Sequence, residues 1–256
     1  MLTGIDHIVI VTRELATAIA DYRGLGFTVM PGGRHPVGTE NALIALRDGA
    51  YIELIAFQSP DTPQAHRWWR PLQRGGGLVD FCAATDAFAD DVTALRAAGV
   101  DVEPPRAQGR TRPDGYVLRW TFASPRGEQR GVVPVLIMDE TARRERVPEA
   151  ITHANGVTGL GMLTIAVHDV DLAGGWYERM LRAPGTAGRR DDLGAVTRRF
   201  GIGRHAVELA TSASRSSPLA TLLAEQGPGP CALTVTTAGG ALRQLDAGPG
   251  TRPSLT

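Results

Sequence analysis

Lysine is absent from this chain of 256 residues: all 27 of its basic side chains are arginine. That absence excludes Schiff-base chemistry and leaves non-titrating cations suited to planar carboxylate or phosphate recognition. A high-GC coding sequence gives the same bias with no functional meaning. Cysteine is scarce. Cys82 and Cys231 stand far apart in apolar runs, which excludes a disulfide framework and a CxxC motif, and both read as small core residues. Charge of one sign is missing as well, since 27 basic residues balance 27 acidic ones. No overall field therefore draws the protein to nucleic acid or to an anionic membrane. No apolar run approaches the roughly 20 residues of a membrane span. The opening MLTGIDHIVIVTREL has no basic segment followed by an apolar core, so a cytoplasmic location is expected. What is present, 43% hydrophobic and 21% charged residues, is ordinary for a packed globular chain.

A repeat organises the sequence. Residues 5–11 form an apolar run of strand length, and in 13–24 Leu15, Ala18, Ile19 and Tyr22 recur at helical spacing. A short strand is predicted over 27–30, stopped by Pro31-Gly32-Gly33. Strands over 41–46 and 50–57 follow, joined by the turn Arg47-Asp48-Gly49. The order strand, helix, strand, strand, strand recurs after a linker at 59–77, with strands at 78–85, 100–103, 116–123 and 132–138 and a helix at 88–98. A third copy runs from 161, with strands at 161–167, near Ala187, at 195–200 and at 205–211, and a helix at 172–181. A fourth is only begun, by a strand at 231–237 and a short helix at 240–247. The predicted fold is α+β, with tandem βαβββ modules forming curved mixed sheets and the fourth module truncated. Residues 1–140 make a first domain of two modules, 1–58 and 77–140. Residues 141–160 connect it to a second, incomplete domain at 161–256. The open edge of the short last sheet predicts self-association, with a homodimer as the simplest form.

Aligning the copies places Glu53 over Glu208 and His7 over Asp80. Strand side chains alternate, so His7 shares a face with Val9 and Val11, and Glu53 shares one with Tyr51 and Ile55. A histidine and a carboxylate on an inward sheet face are costly to bury unless paired, hydrogen-bonded or bound to a metal. An imidazole with carboxylates suits zinc, iron, manganese or nickel, with positions left open for substrate.

The stretches IDHIVIVT, GGRHPVGTENALIAL, GAYIELIA, RPDGYVLRW and RVPEAITHANG resemble the glyoxalase-like proteins of the vicinal-oxygen-chelate superfamily. The resemblance covers residues 1 to about 160 and continues more weakly to about 248. It implies two βαβββ modules packed side by side, with metal ligands from the first and fourth strand of each. On that pattern His7, Glu53 and Asp80 are the implied metal ligands. The fourth strand of the second module, Val133 to Ile137, offers no ligand, and Leu163 or Thr164 replaces the histidine of the third. The two histidines and a glutamate that extradiol dioxygenases carry in their C-terminal half are not here.

His35, in a loop before a strand, is a candidate acid, base or ligand beside Glu53, or else a surface turn residue. Asn41, Trp120 and His153 are candidate substrate-binding residues, against the alternatives of turn capping, plain core and capping of the connector. Arg112, Arg119 and Arg143 could form an anion clamp; His66, His168 and His205 read as incidental. Two functions compete, beside a third reading as a structural partner with a vestigial pocket, which the truncated fourth module favours. One is a metal-dependent enzyme of the lyase or isomerase type acting on a small oxygen-rich molecule. The other is a metal-free protein that binds and sequesters a small molecule.

Overall fold

The computed structural model describes residues 1–149 and 151–256, and only Ala150, within the RVPEAITHANG stretch, lies outside it. The chain begins β1 (Leu2–Val11), α1 (Leu15–Gly24), β2 (Met30–Arg34), β3 (Thr39–Ala45) and β4 (Tyr51–Phe57). It repeats that order in β5 (Gly77–Thr85), α3 (Phe88–Ala97), β6 (Arg106–Thr111), β7 (Val117–Ala123) and β8 (Val135–Asp139), after a short α2 (Trp69–Gln73) in the intervening loop. These eight strands close into a barrel, in the order β1-β4-β3-β2-β6-β7-β8-β5. β1 runs parallel to β4 and antiparallel to β5, so the two modules are joined through their first strands.

The connector carries α4 (Arg143–Arg146). A third run follows: β9 (Val157–Ala166), α5 (Val170–Leu181), β10 (Thr186–Arg190), β11 (Ala195–Ile202) and β12 (His205–Ser212). Then come α6 (Pro218–Gln226), β13 (Gly229–Thr237), β14 (Leu242–Asp246) and β15 (Ser254–Leu255). Their sheet has seven strands in the order β10-β11-β12-β9-β13-β14-β15, and β10 is an exposed edge.

Three local expectations are overturned. Residues 242–246 pair with β13 as a strand and are not a helix, because Leu245 is needed in the shared core. The second-module strand follows Pro104-Pro105 instead of ending there. The predicted glycine stop at 31–33 lies inside β2. A Cβ on Gly32 would sit 1.9 Å from Asn41 Oδ1, and one on Gly33 would sit 2.1 Å from the Thr111 carbonyl. These glycines let β2 close the barrel against β6 where other side chains would collide. α6 was also not foreseen; Ser217 caps it by accepting from Ala220 N at 3.1 Å, with Pro218 in its first turn.

Strand alternation divides β1 between two environments. Ile8 and Ile10 face outward into a core shared with β9, β12 and β13, whereas Val9 and Val11 face the barrel interior. Burial on both faces explains why the strand reads as a continuous apolar run. The two halves are also tied by polar contacts. Leu160 N donates to Asp48 Oδ2 at 2.6 Å, and His205 Nε2 lies 3.1 Å from the same oxygen. His205 Nδ1 in turn accepts from Ile5 N at 2.9 Å, so this histidine, which reads as incidental in sequence, is a structural bridge.

Asp48 titrates below the ordinary carboxylate value: burial opposes this, but the His205 bond and the N–H groups of Ala50 and Leu160 outweigh it. A depressed folded pKa contributes stability that is present above the unfolded value and lost as pH falls. Asp48→Ala is therefore expected to lower unfolding stability by about 1–3 kcal/mol at pH 7. In urea titrations that gap from the native protein narrows below about pH 4; an equal gap at pH 7 and pH 3 contradicts the assignment.

Candidate functional site

The barrel encloses a cavity of about 340 Å³, the size of a site for a small organic molecule. Its polar floor begins at an irregularity in β1. Ile5 pairs with Ala83 and His7 with Cys82, consecutive residues of β5, so Asp6 is an extra residue in a β-bulge. Bulging lets Asp6 and His7, neighbours in sequence, hydrogen-bond each other within the barrel. His7 Nδ1 lies 2.7 Å from Asp6 Oδ1, its ring stacks on Tyr51 at 4.6 Å, and its Nε2 lies 3.6 Å from Glu53 Oε2. Glu53 Oε1 accepts from Asn41 Nδ2. Asn41 Oδ1 in turn accepts from Arg110 at 3.1 Å.

Beneath this line lies Arg146, only 3% exposed. It donates to both oxygens of Asp6, at 3.0 and 2.9 Å, to Tyr51 Oη at 2.9 Å and to Asp139 at 2.8 Å. Arg143 also donates to Asp6 and to the Gly49 carbonyl. Burial opposes charge throughout the cluster. Even so, Arg146, the His7 hydrogen bond and Arg143 hold Asp6 well below the usual carboxylate range. Contacts with Cys82, Tyr51 and Asp6 likewise raise His7 well above its ordinary value.

His35 is half-buried in the cavity wall, with Nδ1 3.0 Å from Thr39 Oγ1 and its ring edge-on to Trp120 at 6.2 Å. Burial, reinforced by Arg110, lowers its pKa, so the ring is neutral at pH 7 and able to take a proton. His7, His35, Asn41, Glu53 and Trp120 thus share one cavity.

Two expected members stand apart. Asp80 lies on the His7 face of the neighbouring strand, but its carboxylate accepts from Trp68 Nε1 at 3.2 Å and Phe81 N at 3.0 Å and pairs with Arg67 at 2.8 Å. It does not line the cavity. His153 is likewise away from it: Nδ1 accepts from Thr28 N at 3.0 Å, Nε2 meets the Ala45 carbonyl at 3.0 Å, and the ring packs on Phe27. It fastens the connector to the barrel wall. Of the expected anion clamp, Arg112 pairs with Asp114 and Glu145 at the surface, and Arg143 serves Asp6.

Arg110, Arg146, Tyr51 and Cys82 were not foreseen as cavity residues. Two of them left a sequence signal: Tyr51 shares the face of Glu53 by strand alternation, and Gln108 and Arg110 alternate with Ala107 and Gly109 after the proline pair. Glu208, the counterpart of Glu53, meets Thr164, Arg190 and Arg199, each at 3.4 Å, and belongs to neither the cavity nor its wall.

Zinc and ions bound like it take at least three converging protein donors. His7 and Glu53 face each other, but Asp80 is engaged by Arg67, and β8 presents Val135 and Ile137 to the cavity. Among the described residues no group of three or more His, Cys, Asp or Glu side chains is arranged to hold an ion. The residues present do not fit the ligand set that the family pattern implies.

Paired βαβββ modules around such a cavity define the vicinal-oxygen-chelate fold. Residues 5–181 match the family model of the glyoxalase-like domain, and the chain belongs to that family. Among solved structures it is similar to a hypothetical protein from Staphylococcus aureus, with TM-score 0.60 and 13% identity over 82% of this chain and 86% of that one. It is also similar to a variant of 4-hydroxymandelate synthase from Streptomyces coelicolor, with TM-score 0.57 and 13% identity over 90% and 70%. At these identities the likeness is one of fold. No curated protein matches the chain.

Removing one partner from a buried ion pair leaves an uncompensated charge, whereas replacing both removes the desolvation cost with the attraction. Asp6→Asn is expected to destabilise the protein by about 3 kcal/mol. Combining it with Arg146→Met should recover a large part of that loss in urea unfolding. Additive losses would contradict the pairing.

Proposed function

We propose that the barrel cavity binds a small oxygen-rich molecule and that the protein is an enzyme of the lyase or isomerase type, with Glu53 as the group that takes and returns a proton. The observation that carries this reading is the carboxylate of Glu53, facing the cavity with one oxygen fixed by Asn41 and the other 3.6 Å from His7. A base must be held in position before its basicity matters, and these two neighbours hold it. His35 stands in the same wall as a second proton carrier. Asn41 and Trp120 serve as substrate contacts, one polar and one flat. The functional unit is then residues 1–140 together with Arg146 of the connector, while the sheet of β9–β15 buttresses the outer face of β1 and β5.

Lewis-acid catalysis at His7 and Glu53 is the form this chemistry would take with a bound divalent ion, and the missing third donor argues against it. The same incomplete donor set favours the second reading, a sequestering protein that holds its ligand unchanged.

Thermal-shift screening across dicarbonyls, catechols and hydroxy acids identifies a ligand, because binding to the folded state alone raises the melting temperature. Exchange of its acidic C–H protons in D2O, followed by NMR, then decides between the readings. Catalysed exchange that falls roughly 100-fold or more in Glu53→Gln, with binding kept, supports the enzyme. A tightly held ligand without exchange or conversion supports sequestration. Stoichiometric metal in the purified protein, lost in His7→Ala, would overturn the metal-free form of either.

A further inference from the structure

The arginines that line the cavity are not equivalent. Arg67 is paired with Asp80, and Arg146 with Asp6 and Asp139. Arg106 and Arg130, at the rim, share Glu103. Arg110 alone among them has no carboxylate within ion-pair distance among the described residues, although it is only 3% exposed. Its two hydrogen bonds go to neutral acceptors: Asn41 Oδ1 at 3.1 Å and the Arg146 carbonyl at 3.1 Å. Of its five N–H donors the remainder have no partner among the described residues, and Nε is fully buried without one. Burial draws its pKa below the ordinary guanidinium value, yet a guanidinium does not lose its proton near neutrality. A buried cation without a direct ion pair is costly for a core to hold.

Its neighbours explain how it is kept there. Gly32 packs so closely that a Cβ would approach Arg110 Nη1 to 2.8 Å, and Asn41 bridges the guanidinium to Glu53, whose charge favours it through space without a direct ion pair. The cavity wall beyond it is flat and apolar, with Trp120 and Phe122 packed on Val135 and Ile137. A cation on the floor and an aromatic wall above it describe one kind of guest.

We propose that Arg110 is the anion-recognition residue of the cavity and that the ligand is a small carboxylic acid with a planar apolar body, its carboxylate completing the missing ion pair. This assignment rests on the cavity reading above and narrows it to a substrate class. One unpaired cation matches a singly charged carboxylate better than a phosphate carrying nearly two charges, and Arg106 and Arg130, sharing one glutamate, leave the rim positive for entry.

Titration calorimetry with benzoate and cinnamate, against their neutral amides and phenyl phosphate, tests the assignment on the full-length protein. The acids should bind, the amides about tenfold or more weaker. Arg110→Gln should remove that preference, Arg110→Lys should restore part of it, and circular dichroism should show both variants folded. Equal binding of acid and amide, or acid binding indifferent to Arg110→Gln, overturns the anion assignment. If Trp120→Ala still weakens the amides in that case, the cavity remains the binding site and only the ligand class falls. Phenyl phosphate binding more tightly than benzoate overturns the choice of carboxylate. Failure of every probe to bind at millimolar concentration overturns the proposal.

Discussion

The bulge that turns Asp6 into the barrel sets the terms for everything around it. One carboxylate there receives Arg146 and Arg143 from the connector and His7 from its own strand. Those bonds fix the imidazole, anchor α4 across one end of the barrel, and place Arg146 under Tyr51. Interactions of this kind contribute less to net stability than their number suggests, because each ion was first removed from water. Their effect is positional: they hold a polar floor in a cavity walled on one side by Trp120, Phe122, Val135 and Ile137.

Two modules of the same element order contribute unequally to the site. The first module keeps His7 and Glu53 pointing into the cavity. In the second, the equivalent Asp80 is drawn to Arg67 and Trp68, and β8 contributes Val135 and Ile137 to the wall. The first module supplies the acid–base pair, and the second supplies the apolar wall together with Arg110. The third module has taken another course, with Glu208 between Arg190 and Arg199 and its sheet laid against the outer faces of β1 and β5. A chain with no net charge has in this way concentrated arginine around one cavity.

Much of the fold is legible in the sequence alone. The repeated strand–helix–strand–strand–strand order follows from hydrophobic periodicity and turn chemistry, and the inward direction of His7 and Glu53 follows from strand alternation. The misreadings share a cause, which is that a local signal was overruled by a distant contact. Pro31-Gly32-Gly33 looks like a stop but is a strand made thin so that Asn41 and Thr111 can approach. Gly240 to Ala247 looks helical yet is held as a strand by β13 and β15.

By itself the sequence determined the α+β class, the modular repeat, and two polar residues on inward faces, since all of these depend on neighbours within a few positions. Only the tertiary structure decided which charges meet. Arg146 is 140 residues from Asp6, and Arg110 is 69 from Asn41. Whether a buried charge finds a partner depends on strands brought together by barrel closure. That pairing separated Asp80 from His7 and Glu53, and left Arg110 without an anion.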